Sequence, residues 1–158
     1  MRQLILTRHA KSDWGDPRIA DHDRPLNHRG LRDAPMMARQ LAASESGTAI
    51  QRIISSTALR ARTTAAAFGK ALELEVELDG GLYLASEHTL LQKAVEAEAA
   101  NVMLVAHNPG ITELAWLLSD GGIEHMPTCA VARFVWRTDD WNEAVTRAAD
   151  EWGLDTPR

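Results

Sequence analysis

A three-layer α/β/α fold with a mostly parallel central sheet is predicted by three features of the sequence. Short β-rich segments alternate with helical ones, the first of them carries nothing strongly polar on either face, and the clearest of them end in reactive polar residues. Leu4-Ile5-Leu6-Thr7 is a strand of the kind that helices cover on both sides, and Arg8-His9 follows it at once. Residues 12–27 are polar, with Pro17, Pro25 and several Asp, and read as a long loop that ends at a helix cap, Asn27. Leu31, Ala34, Met37, Ala38, Leu41 and Ala42 then recur with a helical period to Ala43, and Pro35 predicts a kink there.

Ile50–Ser55 is a second strand, after which Ser56 or Thr57 is expected to cap a helix carrying Leu59, Ala66 and Phe68 to about Leu72. Glu75–Leu78 is a weak third strand and Gly80-Gly81 a turn. Ser86 caps a helix with the stripe Leu90, Leu91, Ala94 and Val95, and Asn101 stops it. Val102–Ala106 is the clearest buried strand. Asn108 and Pro109 supply an N-cap and a first-turn proline for a helix to about Leu118, which Gly121-Gly122 breaks. Ala130–Trp136 is β-rich, and the chain from Asp139 onward fits either a short helix or a final strand near Trp152.

The chain has 158 residues, 45% of them hydrophobic and 25% charged, which predicts one domain over 1–158 with its own core and an expected monomer. A single cysteine, Cys129, excludes an internal disulfide and any zinc site built on two cysteines, and it reads as a small buried hydrophobe. A net charge of -5 disfavours nucleic acid and anionic membranes as partners. No apolar run is long enough for a leader or a membrane span, and a cytoplasmic protein is the expectation.

Open α/β sheets bind ligands beyond the carboxyl ends of their strands. Arg8 and His9 lie at the first such end, Ser55, Ser56 and Arg60 just past the second, and His107 with Asn108 past the fourth. Two guanidiniums suit a tetrahedral oxyanion, because each planar fork gives two charge-assisted hydrogen bonds. With phosphate so held, one imidazole can attack phosphorus and the other can stabilise charge on the phosphoryl oxygens, with no metal or cofactor required. His22, His28, His88 and His125 read as ordinary loop or helix-face residues. There is no G-x-x-x-x-G-K-[ST], no G-x-G-x-x-G and no H-E-x-x-H. A metal site using His9, Asp13, Asp21, His22 and Asp23 would leave both arginines unexplained.

Leu6-Thr7-Arg8-His9-Ala10-Lys11-Ser12 resembles the R-H-[GA] signature of the histidine phosphatase superfamily, whose fold is phosphoglycerate-mutase-like. Asp23-Arg24-Pro25-Leu26-Asn27 with Gly30, the segment Ser55–Ala65, and Val105-Ala106-His107-Asn108-Pro109-Gly110 are similar to three further elements of that family, in the same order. The resemblance implies that His9 is the phosphorylated nucleophile, that Arg8 and Arg60 bind phosphoryl oxygens, and that His107 completes the pocket, with Asn108 and Ser12 as further substrate-binding candidates. The short chain looks most like the small SixA-type phosphohistidine phosphatase branch. Larger members carry a Glu or Asp general acid after the third strand, where only Glu87 stands here, with Asp13 and Asp21 as looser candidates. An imidazole leaving group, with a reference pKa of about 6.5, needs far less protonation than an alkoxide. The leading expectation is therefore a metal-independent phosphatase acting on phosphohistidine of a partner protein. The alternatives are a small-molecule phosphomonoesterase and a non-catalytic phosphate-binding module.

Overall fold

The computed structural model describes residues 1–158. Its strands are β1 (Arg2–Arg8), β2 (Arg52–Ser55), β3 (Val76–Leu78), β4 (Asn101–Ala106), β5 (Val131–Trp136) and β6 (Glu151–Asp155). Its helices are α1 (His28–Ala42), α2 (Glu45–Thr48), α3 (Leu59–Leu72), α4 (Glu87–Glu96), α5 (Gly110–Leu118) and α6 (Trp141–Ala144). The six strands form one sheet in the order β3-β2-β4-β1-β5-β6. Its first four are mutually parallel, β5 runs antiparallel to β1, and β6 antiparallel to β5.

Alternation along the central strands splits the core in two. Ile5, Ile53, Met103 and Val105 face α1 and α3 with Met37, Ala38, Ala61, Ala65 and Phe68. Leu4, Leu6, Val102, Leu104, Phe134 and Trp136 face α4, α5 and α6 with Leu90, Leu114, Leu118 and Trp141. Both buried indoles are satisfied, Trp136 donating to the Arg147 carbonyl at 3.2 Å and Trp141 to the Ala99 carbonyl at 2.7 Å. The sheet is thus covered on both faces, as the apolar character of its inner strands requires. No helix is long and apolar enough to cross a membrane.

Several local expectations are corrected. The helix at Asn27 is capped as predicted, the Asn27 side chain accepting from the Gly30 amide at 2.9 Å, and it continues as α-helix through Pro35. Leu31 is exposed, while Gly30 and Asp33 lie on the buried face in its stead. Neither Ser56 nor Thr57 caps α3: its N-cap position is Ala58, and the Ser56 hydroxyl is engaged elsewhere. Ala66 faces solvent, because the buried stripe of α3 runs through Arg60, Ala61, Thr64, Ala65 and Phe68. Asn108 does not cap α5, since its side-chain oxygen is taken by the Thr112 hydroxyl at 2.6 Å and the N-cap position is Pro109, after a cis peptide bond. The segment after Asp139 holds both a short helix, α6, and a strand, β6, which pairs onto β5 although it has no buried face of its own.

Candidate active site

Sheet register brings the reactive segments to one level. Arg8 is opposite Ala106, and Ser55 is opposite Val105, so His9, Ser56 and His107 all leave the sheet at the same edge. The loop after β1 is fastened to α3 by Thr64, whose hydroxyl accepts from the Ala10 amide at 3.0 Å and donates to the Arg60 carbonyl at 2.8 Å. It is fastened to α1 by close backbone approach: a β-carbon on Gly30 would lie 2.2 Å from the Lys11 carbonyl oxygen. From the other side, the Cys129 amide donates to the Arg8 and His9 carbonyls.

These contacts bound a cleft of about 310 Å³ whose lining includes Arg8, His9, Arg24, Arg60, His107 and Asn108. His9, Arg24, Arg60 and His107 are all buried. The His9 Nδ1–H donates to the Ala10 carbonyl at 2.8 Å, so Nε2 carries the lone pair, with the Arg60 Nε–H 3.4 Å away. The rings of His9 and His107 stand 5.1 Å apart. Burial pushes His9 down to about 4, against the Ala10 hydrogen bond and with help from Arg60, Arg8 and Arg24. Burial, then the charges of His9 and Arg60, push His107 down to about 3. Both imidazoles are neutral at pH 7. His107 Nε2 lies 2.7 Å from the Ser56 hydroxyl, and its Nδ1 is buried with no partner in the protein.

The guanidiniums are held by acceptors around the cleft. Arg8 donates to the Met126 carbonyl at 3.1 Å, and burial lowers its pKa. Arg60 donates to the Asp21 carbonyl at 2.6 Å and to the Asp21 carboxylate at 3.0 Å. Arg24 donates to the same carboxylate at 2.8 Å and to the Ser12 hydroxyl at 2.7 Å, and its guanidinium sits 3.6 Å above the exposed Trp14 ring. A hydrogen bond from Tyr83, followed by Arg60 and Arg24, holds the Asp21 carboxyl down at about 2.

Of the residues the sequence singles out, Arg8, His9, Ser12, Asp21, Arg60, His107 and Asn108 come together in this cleft. Glu87 does not. It opens α4, which Ser86 caps, and lines a separate groove with Glu113 and Glu124. Asp13 is exposed and accepts from the Gly15 amide at 2.7 Å in a local turn. The His and Asp side chains of the first loop do not converge, since His22 turns to the Thr57 hydroxyl at 2.8 Å while Asp21 faces the arginines.

Sequence reasoning missed Arg24 as a site residue, together with Tyr83 and the mouth residues Trp14 and Leu84. The available signal for Arg24 was its place in the Asp23-Arg24-Pro25-Leu26-Asn27 segment that resembles the family's motif. Nothing in the sequence marks Tyr83. Cys129 is buried as expected, and burial, with the Asp33 charge, pushes its thiol up to about 12.

Residues 4–83 match the family model of the histidine phosphatase superfamily, branch 1. An uncharacterised chloroplastic protein of Arabidopsis thaliana is 34% identical over 156 residues, spanning 90% of this chain and 70% of that one. A structure from Agrobacterium tumefaciens assigned to the phosphohistidine phosphatase SixA superposes with a TM-score of 0.77 at 30% identity, covering 86% of this chain and 92% of the other. One from Nakamurella multipartitia with the same assignment gives 0.82 at 26% identity, covering 99% and 96%.

Proposed function

The chain belongs to the histidine phosphatase superfamily, and from that premise we propose that it removes the phosphoryl group from phosphohistidine on a partner protein, without a metal ion, through a phosphorylated His9. In the first step the His9 Nε2 lone pair attacks phosphorus and the P–N bond of the substrate breaks, its electron pair staying with the departing ring, which leaves as neutral imidazole because its other nitrogen has taken a proton from solvent. In the second step water attacks the phosphorus on His9, releasing phosphate and regenerating the neutral ring. Arg8, Arg24 and Arg60 carry the phosphoryl oxygens by charge-assisted hydrogen bonds. His107 Nε2, 2.7 Å away, is the one acceptor within reach of the Ser56 hydroxyl, whose oxygen accepts from the Ala58 amide at 3.2 Å, so the Ser56 proton goes to His107 Nε2. That leaves the His107 Nδ1–H as a neutral donor toward the transferred group.

One observation carries the choice of substrate. The cleft's only carboxylate, Asp21, is locked in its charged form by Tyr83, Arg60 and Arg24, so it holds no proton to give. An alkoxide leaving group requires such a proton; an imidazole, with a reference pKa of about 6.5, takes one from solvent. A protein-borne phosphohistidine is supported by the mouth, where Trp14 is 70% and Leu84 53% exposed and no insertion covers them.

The test is dephosphorylation of a phosphorylated histidine phosphotransfer domain in the presence of a chelator, beside an alkyl phosphate. Rapid loss of label from the domain alone is expected. Activity that returns only with added metal would refute the metal-free mechanism, and preferential alkyl phosphate hydrolysis would favour a small-molecule phosphomonoesterase. Tight phosphate binding with no turnover would leave a binding module.

A further inference from the structure

Tyr83 is outside the lining of the cleft, yet it touches two of its residues, Asp21 and His107, and the neighbouring His22. Its hydroxyl donates to the Asp21 carboxylate, on the same oxygen that accepts from Arg60. Its ring stands edge-on to His107 at 5.5 Å and to His22 at 4.9 Å. The segment that bears it is fixed independently. The Asp79 side chain accepts from the Gly81 amide at 2.8 Å, Leu82 is fully buried, and the Tyr83 amide donates to the Gly80 carbonyl at 3.1 Å.

Asp21 is placed differently. It sits on the long loop before α1, its side chain is 44% exposed, and no backbone amide caps its carboxylate. Its oxygens are shared among Arg24, Arg60 and Tyr83. Two of these three partners are the guanidiniums that a phosphoryl group also needs, so the tyrosine is the one partner that an arriving anion does not compete for.

We propose that Tyr83 is a positioning residue for phosphoryl binding: by anchoring the Asp21 carboxylate to the β3–α4 connection, it fixes the directions in which Arg60 and Arg24 present their remaining N–H groups. A guanidinium already oriented loses less side-chain freedom when the anion arrives, which strengthens binding without a new contact. Without the tyrosine hydroxyl, the exposed carboxylate can change rotamer on a backbone that Arg60 still holds through the Asp21 carbonyl, and the guanidinium N–H groups that share it reorient with it. The proposal rests on the phosphoryl-binding reading of the cleft but not on the identity of the leaving group.

The test is a double-mutant cycle read by calorimetric binding of inorganic phosphate, using wild type, Tyr83→Phe, Asp21→Ala and the double variant. Phe keeps the edge-on ring contacts with both histidines and removes only the hydroxyl. Tyr83→Phe should weaken phosphate binding about tenfold in the wild-type background and less than twofold when Asp21 is Ala. In turnover the same change should appear in KM, with kcat held within about twofold. Equal weakening in both backgrounds, or no weakening in either, overturns the proposal. Asp21→Asn supplies an independent reading should Tyr83→Phe fail to fold: it keeps the side-chain shape, weakens the acceptor and should also weaken phosphate binding, so tighter binding overturns the proposal. Because phosphate binding is the readout, a wild-type chain that binds phosphate with the expected coupling but never turns over phosphohistidine refutes the proposed activity and leaves this inference standing. One that binds no phosphate sinks both.

Discussion

Among the clefts of this molecule, two of nearly equal size differ most in character, about 310 Å³ beyond the strand ends and about 340 Å³ between α4 and α5. The first gathers Arg8, Arg24, Arg60, His9 and His107, most of them buried and each tied to a backbone or side-chain partner. The second presents Glu87, Glu113 and Glu124 beside half-exposed Trp116 and Leu117, and the nearness of Glu87 raises the Glu113 carboxyl. Volume does not distinguish them. Burying charge is costly unless something compensates, so a cleft that keeps several cations out of water with an array of acceptors is organised for an anion. Carboxylates left in solvent cost little to keep and imply nothing by themselves.

The largest effect that could break this contrast is expected at His9. His9→Ala should lower turnover by about four orders of magnitude, measured by stopped assay on the phosphorylated domain, while calorimetric phosphate affinity stays within about tenfold. Equal loss of both would make His9 a binding residue only. Arg60→Ala comes next, lowering kcat/KM by roughly 10²- to 10³-fold and weakening phosphate binding with it, and Arg24→Ala should follow with about a tenfold loss.

Acid sharpens the contrast further, because the depressed imidazoles belong to one cleft alone. His9 at about 4 and His107 at about 3 lie below their unfolded value of about 6.5, so between these limits the unfolded chain binds protons that the folded chain refuses. Their contribution to stability is intact above about pH 6.5 and is lost as pH falls, by about 3 kcal/mol each at pH 4. Urea unfolding at pH 7.5 and pH 4, together with imidazole carbon shifts followed by NMR, should show this; titration of both rings near their unfolded value would contradict their burial as neutral groups. The smallest effect belongs to the acidic groove. Glu87→Gln should leave kcat/KM for phosphohistidine within about twofold, and a large loss there would restore Glu87 as a proton donor.

Legibility followed chain locality. The layered fold was readable because a buried strand needs apolar residues on both faces, and Leu4–Leu6 and Val102–Ala106 carry them. The cap at Asn27 was readable because it acts within one turn. The site at the strand ends was readable because topology alone places the ends of β1, β2 and β4 together. Exposure of Leu31 and Ala66 was not, since a helical period constrains spacing and leaves the facing direction to the packing of α1 against α3. Strand β6 was readable only as one of two alternatives near Trp152: its residues bury no face, and the pairing edge of β5 makes them a strand.

The amino-acid order by itself determined the alternation of layers, the placement of Arg8, His9, Arg60 and His107 at one sheet edge, and the family to which the chain belongs. Tertiary structure alone decided which carboxylate enters the cleft and in what state. Asp21 is bound by Tyr83, 62 residues away, and by Arg60, 39 residues away, whereas Glu87, which opens α4, lines a separate groove. A carboxyl group's readiness to give up or keep a proton depends on the charges and dipoles that folding brings around it, and those neighbours lie far away along the chain.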